Sequence, residues 1–314
     1  MNNTGSRSGP YAALLGVQAF FGSLPVVGKI VLGSIPPIAL VGFRVGITAL
    51  VLFLFQLYRK RIWLQHSSDY LRLAIFSLFG VVFNQLLFVG GLSLTKASNT
   101  SLLAVTIPIF AIAVGAAAGT ERLRPAKIGG IILAAIGIII LLDPRNASFS
   151  SQTTIGDIMI VLNSLSYGIY VATSKSVVTR NGAFRSIMWI FIFASLICVP
   201  LGAFSVSSID IQSVPIFIWF LIAYIAVFAT ATPYLLNAWA LARVDASVVA
   251  VFVYLQPVIG FLLAVIFLGE GVGFTFIIAA ALVFAGVFLT MRMPRRSKDL
   301  PWTKSKPERL EDAL

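Results

Sequence analysis

Residues 36–58, PPIALVGFRVGITALVLFLFQLY, contain a single charged side chain, Arg44, in an otherwise apolar run. A helix of this length rises about 1.5 Å per residue and so crosses a hydrocarbon core of about 30 Å. Nine other stretches share this length and character. The ten predicted spans are 11–31, 36–58, 70–91, 97–118, 125–143, 155–177, 186–206, 215–240, 246–268 and 273–291. No period-2 alternation runs along the chain, so the sequence predicts an all-α integral membrane protein with ten transmembrane helices.

The composition excludes a soluble domain, because 59% of the residues are hydrophobic and only 11% are charged, against roughly a quarter in soluble proteins. The net charge of +12 comes from Lys and Arg in the short breaks between apolar runs and in the tail. No basic face is present, so nucleic acid is not an expected partner. The expected partners are the lipid bilayer and a small-molecule substrate, and residues 292–314 are predicted to form a disordered, basic cytoplasmic tail.

The basic residues also predict the orientation of the chain. If the N-terminus is cytoplasmic, every Lys and Arg falls on the cytoplasmic side except Lys29, Lys96, Arg145 and the intramembrane Arg44. Loops rich in Lys and Arg stay on the cytoplasmic side of a membrane. This asymmetry favours ten spans with both termini cytoplasmic.

An internal repeat divides the chain into two halves. A shift of 149 residues places Leu92 on Leu241, Ala97 on Ala246, Ser98 on Ser247, Pro108 on Pro257, Glu121 on Glu270 and Gly137 on Gly286. A shift of 146 residues places Gly22 on Gly168 and Lys29 on Lys175. Each half, 11–143 or 155–291, then holds five spans. Five is odd, so the second half enters from the opposite side, which predicts two inverted five-helix repeats around a central cavity, a common plan of secondary transporters.

Short segments late in each half resemble a known family. Phe267-Leu268-Gly269-Glu270 precedes a helix rich in small residues, and Gly119-Thr120-Glu121 occupies the same place in the first half. Pro108 and Pro257 stand in the fourth helix of each half. At these positions the chain resembles two EamA-type domains, the layout of ten-span bacterial exporters of the drug/metabolite transporter superfamily. The resemblance implies a basket of helices around a cavity, alternating access in the bacterial inner (plasma) membrane, and export of metabolites, amino acids among them.

Polar and aromatic side chains near the midplane of several spans are the candidate substrate-binding residues. They are Gln18, Phe21, Asn84, Gln85, Phe88, Asn163, Tyr167, Tyr234, Asn237, Tyr254 and Gln256. Polar groups are costly in a bilayer and face the bundle interior. They either line a cavity or only tie helices together. Because a pocket needs a few convergent polar groups, we favour a cavity lining.

Two Lys–Glu pairs are candidate gating residues. Lys29 and Glu270 lie near the outer face, and their repeat mates Lys175 and Glu121 lie near the inner face. Each pair either closes its own side in turn or acts as a fixed staple or solvated charge, and the weakness of exposed ion pairs favours the second interpretation.

Four prolines within the spans are candidate hinges: Pro25, Pro108, Pro233 and Pro257. A proline removes a backbone donor and kinks a helix. The kinks either flex during transport or only shape the bundle, and static bending is slightly favoured.

Arg44 has three possible roles. Its guanidinium holds a substrate carboxylate, snorkels to the outer surface, or pairs with Glu270, and we prefer a structural role. No Asp, Glu or His lies at mid-membrane, so the sequence offers no obvious proton relay.

These patterns together predict a secondary transporter that moves small metabolites by alternating access and exports amino acids or related solutes. An importer with the same fold is the nearest alternative. A channel would need a filter motif and an intramembrane enzyme a catalytic constellation, and neither pattern is visible. We expect no cofactor and a monomer or weak homodimer.

Overall fold

The computed structural model describes residues 8–104, 106–119, 125–142, 152–207, 209–241, 252, 255–271 and 273–291. Within these ranges every regular element is a helix. The α-helices are α1 Ser8–Val31, α2 Pro37–Tyr58, α3 Ser67–Ser77, α4 Phe83–Leu94, α5 Ala97–Ala104, α6 Ile107–Ala117, α7 Pro125–Leu142, α8 Gln152–Asn181, α9 Ala183–Val206, α10 Ile216–Ala226, α11 Thr232–Leu241, α12 Leu255–Leu268 and α13 Phe274–Met291. Two π-helices, Leu78–Val82 and Val227–Ala231, join α3 to α4 and α10 to α11, and Ile211–Ser213 is a 3-10 turn. The predicted all-helical class is confirmed.

Six continuous helical segments in the described part of the chain are long and apolar enough to cross a membrane. They are Gly9–Val31, Pro37–Tyr58, Ser67–Leu94, Gln152–Asn181, Ala183–Val206 and Ile216–Asn237. The pair α5 and α6 adds a seventh if it is one span bent by 40°. Shorter apolar helices cover Ile128–Gly137, Val258–Leu268 and Phe274–Gly286. Each predicted stretch therefore contains an apolar helix, and ten complete crossings stay a prediction.

Glycines with positive φ separate neighbouring helices. Gly182, at φ 83°, lies between α8 and α9, and Gly269, at φ 62°, follows α12. Only glycine adopts this left-handed conformation without a steric penalty, so it ends one helix and redirects the chain. At Gly269 the turn delivers Glu270 to a neighbouring helix.

Close glycine contacts join α7 to α13. A Cβ on Gly137 would lie 2.9 Å from the Ala279 carbonyl oxygen, and one on Gly286 would lie 2.5 Å from that of Gly130. Gly137 and Gly286 are 149 positions apart, as are Gly130 and Ala279. The contact is therefore reciprocal, and the two helices run antiparallel with small residues at their crossing.

Other features recur at the two repeat spacings. The π-helix Val227–Ala231 lies 149 positions after Leu78–Val82. In addition, Gly22 packs on Ile259, and Gly168, its mate at the shift of 146, packs on Phe110, the mate of Ile259 at the shift of 149. The internal repeat of the sequence is thus also a repeat of local structure and packing.

The main apolar core lies where α2, α9 and α10 meet. It includes Leu52, Met188, Phe191 and Ile222, all at most 2% exposed. Helix α2 runs so close to α9 that a Cβ on Gly42 would come within 2.7 Å of the Gly202 Cα. This tight pair fixes one wall of the bundle and positions Arg44, one half-turn further along α2.

Candidate functional site

A cavity of about 240 Å³ lies among helices from both parts of the chain. Pockets for drug-sized ligands run from about 300 Å³ upward, so this one suits a small solute. Its lining residues are Phe21, Leu24, Arg44, Asn84, Gln85, Phe88, Ser101, Ala104, Ile107, Asn163, Tyr167, Tyr234 and Gln256. The lining combines amides, hydroxyls and aromatic rings with one charged side chain.

Eight of the candidate substrate-binding residues line this cavity: Phe21, Asn84, Gln85, Phe88, Asn163, Tyr167, Tyr234 and Gln256. Gln18 is buried elsewhere on α1, and its Oε1 accepts no hydrogen bond from the described part of the chain. Asn237 is half-buried on α11 outside the lining. Tyr254 lies outside the described residues.

Sequence reasoning did not assign five lining residues to the cavity: Leu24, Arg44, Ser101, Ala104 and Ile107. The position of Arg44 inside an apolar span was the available signal, because such a residue is a functional candidate by default. Ser101 belongs to a polar run, 98–101, at the start of a predicted span. The other three are ordinary apolar residues that no sequence pattern distinguishes.

Asn163 on α8 has both roles considered for the amides, because it ties two helices together and also lines the cavity. Its Nδ2 donates to the Asn84 carbonyl oxygen at 2.7 Å, and its side chain also lines the cavity. One turn further along α8, the Ser166 hydroxyl donates to the Phe79 carbonyl oxygen at 2.9 Å. The polar residues of α8 therefore tie it to α4 and the first π-helix while one of them faces the solute space.

Both π-helices lie beside the cavity and receive hydroxyl donors. The Phe79 carbonyl belongs to the first π-helix, and beside the second the Thr48 hydroxyl donates to the Ala226 carbonyl oxygen at 3.0 Å. A π-helix shifts the backbone hydrogen-bond ladder by one residue, so carbonyl groups there need other partners. These hydroxyls supply such partners at the first π-helix and at the residue that precedes the second.

Arg44 is only 4% exposed, and its guanidinium is held by two neutral acceptors. Nε donates to the Thr230 hydroxyl oxygen at 2.8 Å, and Nη1 donates to Gln85 Oε1 at 2.5 Å. Thr230 belongs to the second π-helix and Gln85 to α4, so one residue from each half of the chain orients the guanidinium group. The side chain neither snorkels to the surface nor contacts Glu270.

Aromatic rings form the apolar side of the cavity. The Tyr234 ring lies 6.1 Å from Phe21 and 5.7 Å from Phe191, edge to face in both cases. The Tyr167 ring lies 5.4 Å from that of Tyr170. Edge-to-face packing holds these side chains in fixed orientations, so the cavity has a preformed apolar wall.

At one end of the bundle, Lys29 and Glu270 bind the two sides of the break between α4 and α5. Lys29 Nζ donates to the carbonyl oxygens of Leu92, Ser93 and Thr95 at 2.8, 3.3 and 2.5 Å. These groups are at the C-terminal end of α4, where a cation is favoured by the helix dipole. Lys29 thus acts as a C-terminal cap from a neighbouring helix.

Glu270 caps the opposite side of that break. Its oxygens accept from the Ala97 and Ser98 backbone N–H groups at 2.8 and 3.0 Å and from the Ser98 hydroxyl at 2.5 Å. The start of α5 favours a carboxylate, whereas the end of its own helix α12 does not. Of the repeat mates, Lys175 is exposed on α8, and Glu121 lies outside the described residues.

Helix α8 is anchored at both ends by carboxylates that sequence reasoning did not single out. Asp157, 3% exposed, accepts from the Thr95 hydroxyl at 2.5 Å and from Asn99 Nδ2 at 3.1 Å. At the other end, buried Asp69 forms an ion pair with Arg180, whose Nε lies 3.0 Å from the carboxylate. The two partners are far apart in sequence, so no local pattern reveals them.

The candidate hinge prolines lie in different helical settings. Pro108 is the second residue of α6, at the bent break, where its missing N–H costs no intrahelical hydrogen bond. Pro233 directly follows the second π-helix inside the continuous segment Ile216–Asn237, and Pro257 lies in α12. Pro25 lies inside α1, as does Pro200 inside α9. The hinge role stays a prediction.

A sequence profile of the EamA-like transporter family matches the chain twice, over residues 9–143 and 154–292. An uncharacterized transporter, YetK, of Bacillus subtilis (strain 168) is 24% identical over 303 residues, covering 96% of this chain and 92% of the relative. A probable amino-acid metabolite efflux pump of Salmonella typhimurium (strain LT2) is 26% identical over 298 residues, covering 91% and 95%.

One solved crystal structure has the same fold. It superimposes with a TM-score of 0.58 over 94% of this chain and 100% of that chain, at 20% identity. The two profile matches together span most of the sequence and coincide with the repeat of helices, glycine contacts and π-helices. The chain therefore belongs to the EamA-like transporter family, within the drug/metabolite transporter superfamily, and is a multi-pass membrane protein.

Proposed function

We propose that this protein is a secondary transporter that exports amino acids or related small metabolites by alternating access. The observation that carries the proposal is the cavity, whose lining comes from α1, α2, α4, α5 and α6 in the first matched half and α8, α11 and α12 in the second. A solute held there touches both halves. Rocking one half against the other would then open the same site to each side in turn.

An inverted arrangement of two five-helix repeats is part of the proposal. A two-fold axis in the membrane plane pairs a helix with its own mate in antiparallel orientation. The reciprocal contacts of Gly137 with Ala279 and of Gly130 with Gly286 have this form. The repeated packing of Gly22 and Gly168 supports it from a second pair of helices.

The proposed solute is small and forms hydrogen bonds. Asn84, Asn163 and Gln256 offer amide donors and acceptors, and the tyrosines offer hydroxyls, without adding charge. No Asp, Glu or His occurs among the cavity-lining residues of the described chain. This lining supports transport without a proton relay in the cavity wall.

Export, orientation and location complete the proposal. The name of the Salmonella relative, an amino-acid metabolite efflux pump, supports both solute class and direction. Charge asymmetry supports two cytoplasmic termini in the bacterial inner membrane. With that orientation, Lys29 and Glu270 staple the outer end of the bundle, and we propose the equivalent role for Lys175 and Glu121 at the inner end.

The decisive experiment is counterflow in proteoliposomes loaded with single amino acids or other metabolites, with and without a pH gradient. We expect accumulation of labelled solute for at least one amino acid, without a requirement for the gradient. A well-folded preparation that moves no solute of the panel contradicts the proposed transport. Uphill uptake that depends on the pH gradient contradicts the absence of proton coupling.

A further inference from the structure

The cavity contains a cation whose charge the described chain does not neutralise. Arg44 is 4% exposed, lines the cavity, and donates to two neutral oxygens, those of Thr230 and Gln85. The ion pairs formed within the described ranges involve Asp69 with Arg72 and Arg180, and none involves Arg44. Burying an uncompensated cation is costly, so its retention needs a reason.

The hydrogen bonds of Arg44 leave part of its donor fork available. Nε and Nη1 are used by Thr230 and Gln85, while Nη2 donates to no acceptor in the part of the chain that the structure describes. A guanidinium presents its N–H groups in a planar fork that matches the two oxygens of a carboxylate. The two neutral acceptors fix the orientation of that fork without cancelling its charge.

The remaining lining limits the size and charge of the anion. Arg44 is the one charged residue among the lining residues that the structure describes, and these residues supply a single positive charge. A monoanion is neutralised there, whereas a dianion would retain buried negative charge. Phe21, Leu24 and Phe88 add apolar surface, and the amides of Asn84 and Gln256 can accept from an ammonium group.

We infer that the solute carries one carboxylate, that this group binds the guanidinium of Arg44, and that Arg44 is the residue that selects carboxylates over the corresponding carboxamides. The inference rests on the proposed function, because it concerns the solute of the same cavity. It gives Arg44 a binding role in place of the structural role that its sequence position favoured.

The test compares ligands that differ only in the carboxylate. The probes are L-leucine with L-leucinamide, L-phenylalanine with L-phenylalaninamide, and 3-phenylpropanoate, which has a carboxylate but no amine. Binding is measured on the purified protein in detergent by thermal stabilisation, and transport by competition in proteoliposomes. At least one carboxylate probe should stabilise wild type at a concentration at least tenfold lower than its amide. Equal effects of acid and amide, or no stabilisation by any carboxylate, overturn the inference.

The variants are Arg44→Gln and Arg44→Lys, with Arg72→Gln as the matched control, because the Arg72 side chain is 54% exposed at the end of the bundle. Arg44→Gln should abolish the preference for the acid, and Arg44→Lys should retain the charge but bind carboxylates at least several-fold more weakly. Arg72→Gln should behave as wild type. An unchanged acid preference in Arg44→Gln overturns the inference. If that variant does not fold, Arg44→Lys and the wild-type probe pairs still decide.

The two proposals can fail separately. Wild type that binds carboxylates selectively but moves no solute contradicts the transport function and leaves the carboxylate site intact. Wild type that transports solutes while acids and amides compete equally contradicts only the role of Arg44.

Discussion

At one end of the bundle, Lys29 and Glu270 each make three hydrogen bonds to the facing ends of α4 and α5, whereas Arg44 in the cavity makes two to neutral side chains. Lys29 and Glu270 are half-buried and are matched by helix-end groups of opposite polarity. Arg44 is only 4% exposed and has no such match within the described chain. The comparison teaches that the half-buried charges satisfied by backbone groups hold the fold, whereas the buried charge without a counter-charge is the one that the inferred ligand would use.

The largest expected effect is on stability, at the break between α4 and α5. Replacing Glu270 by alanine leaves two backbone N–H groups and one hydroxyl without their acceptor, which should cost about 3 kcal/mol, because a hydrogen bond at this half-buried site is worth roughly 1 kcal/mol. Thermal unfolding in detergent measures the loss. Glu270→Gln keeps an acceptor and should lose about half as much. A Glu270→Ala variant as stable as wild type would show that the cap is not formed.

The second largest effect on stability is expected for Lys29→Met. This variant should lower the free energy of unfolding by about 2 kcal/mol, because three carbonyl groups at the end of α4 lose a charged donor. The matched control is Lys175→Met, since Lys175 is exposed on α8 and should change stability by no more than about 0.5 kcal/mol. Equal losses in the two variants would contradict the capping role assigned to Lys29.

Cavity amides should affect transport more than stability. Asn84→Ala removes a polar group from the lining and should reduce counterflow about tenfold, which corresponds to about 1.4 kcal/mol. Asn237→Ala is the control, because Asn237 lies on α11 outside the lining. The ratio of initial rates, normalised to inserted protein, is the measurement. A stronger effect at Asn237 than at Asn84 would place the solute elsewhere.

The smallest expected change is the stability of Arg44→Gln, within about 1 kcal/mol of wild type, because removing an uncompensated buried charge offsets the lost hydrogen bonds. Unfolding in the absence of solute measures it. A loss as large as that of Glu270→Ala would make Arg44 another structural anchor and remove the contrast between the two regions.

Sequence reasoning could predict the helices because each apolar run fixes a length and each break contains glycine, proline or charge. It also predicted eight of the lining residues, because polar side chains inside apolar spans are costly in lipid and therefore face the interior of the bundle. The π-helices were not predictable, because the shift of one hydrogen bond leaves no pattern in residue type. The caps of Lys29 and Glu270 were missed in detail because their partners are backbone groups of a distant break.

Long-range pairing was the other limit. Asp69 and Arg180 meet only after α3 and α8 pack, and nothing local marks either residue as a partner of the other. Arg44 was assigned a structural role because the sequence alone does not show whether an Asp or Glu side chain lies next to its guanidinium in the folded protein. That question is answered by the neighbours of the folded side chain, Thr230 and Gln85.

The matching π-helices also bear on the history of the chain. A π-helix arises when one residue is inserted into an α-helix, and the insertion shifts every later side chain around the helix. Here the two occurrences, Leu78–Val82 and Val227–Ala231, occupy equivalent positions in the two matched halves. A single insertion in an ancestral half-length gene, copied when that gene was duplicated, accounts for both.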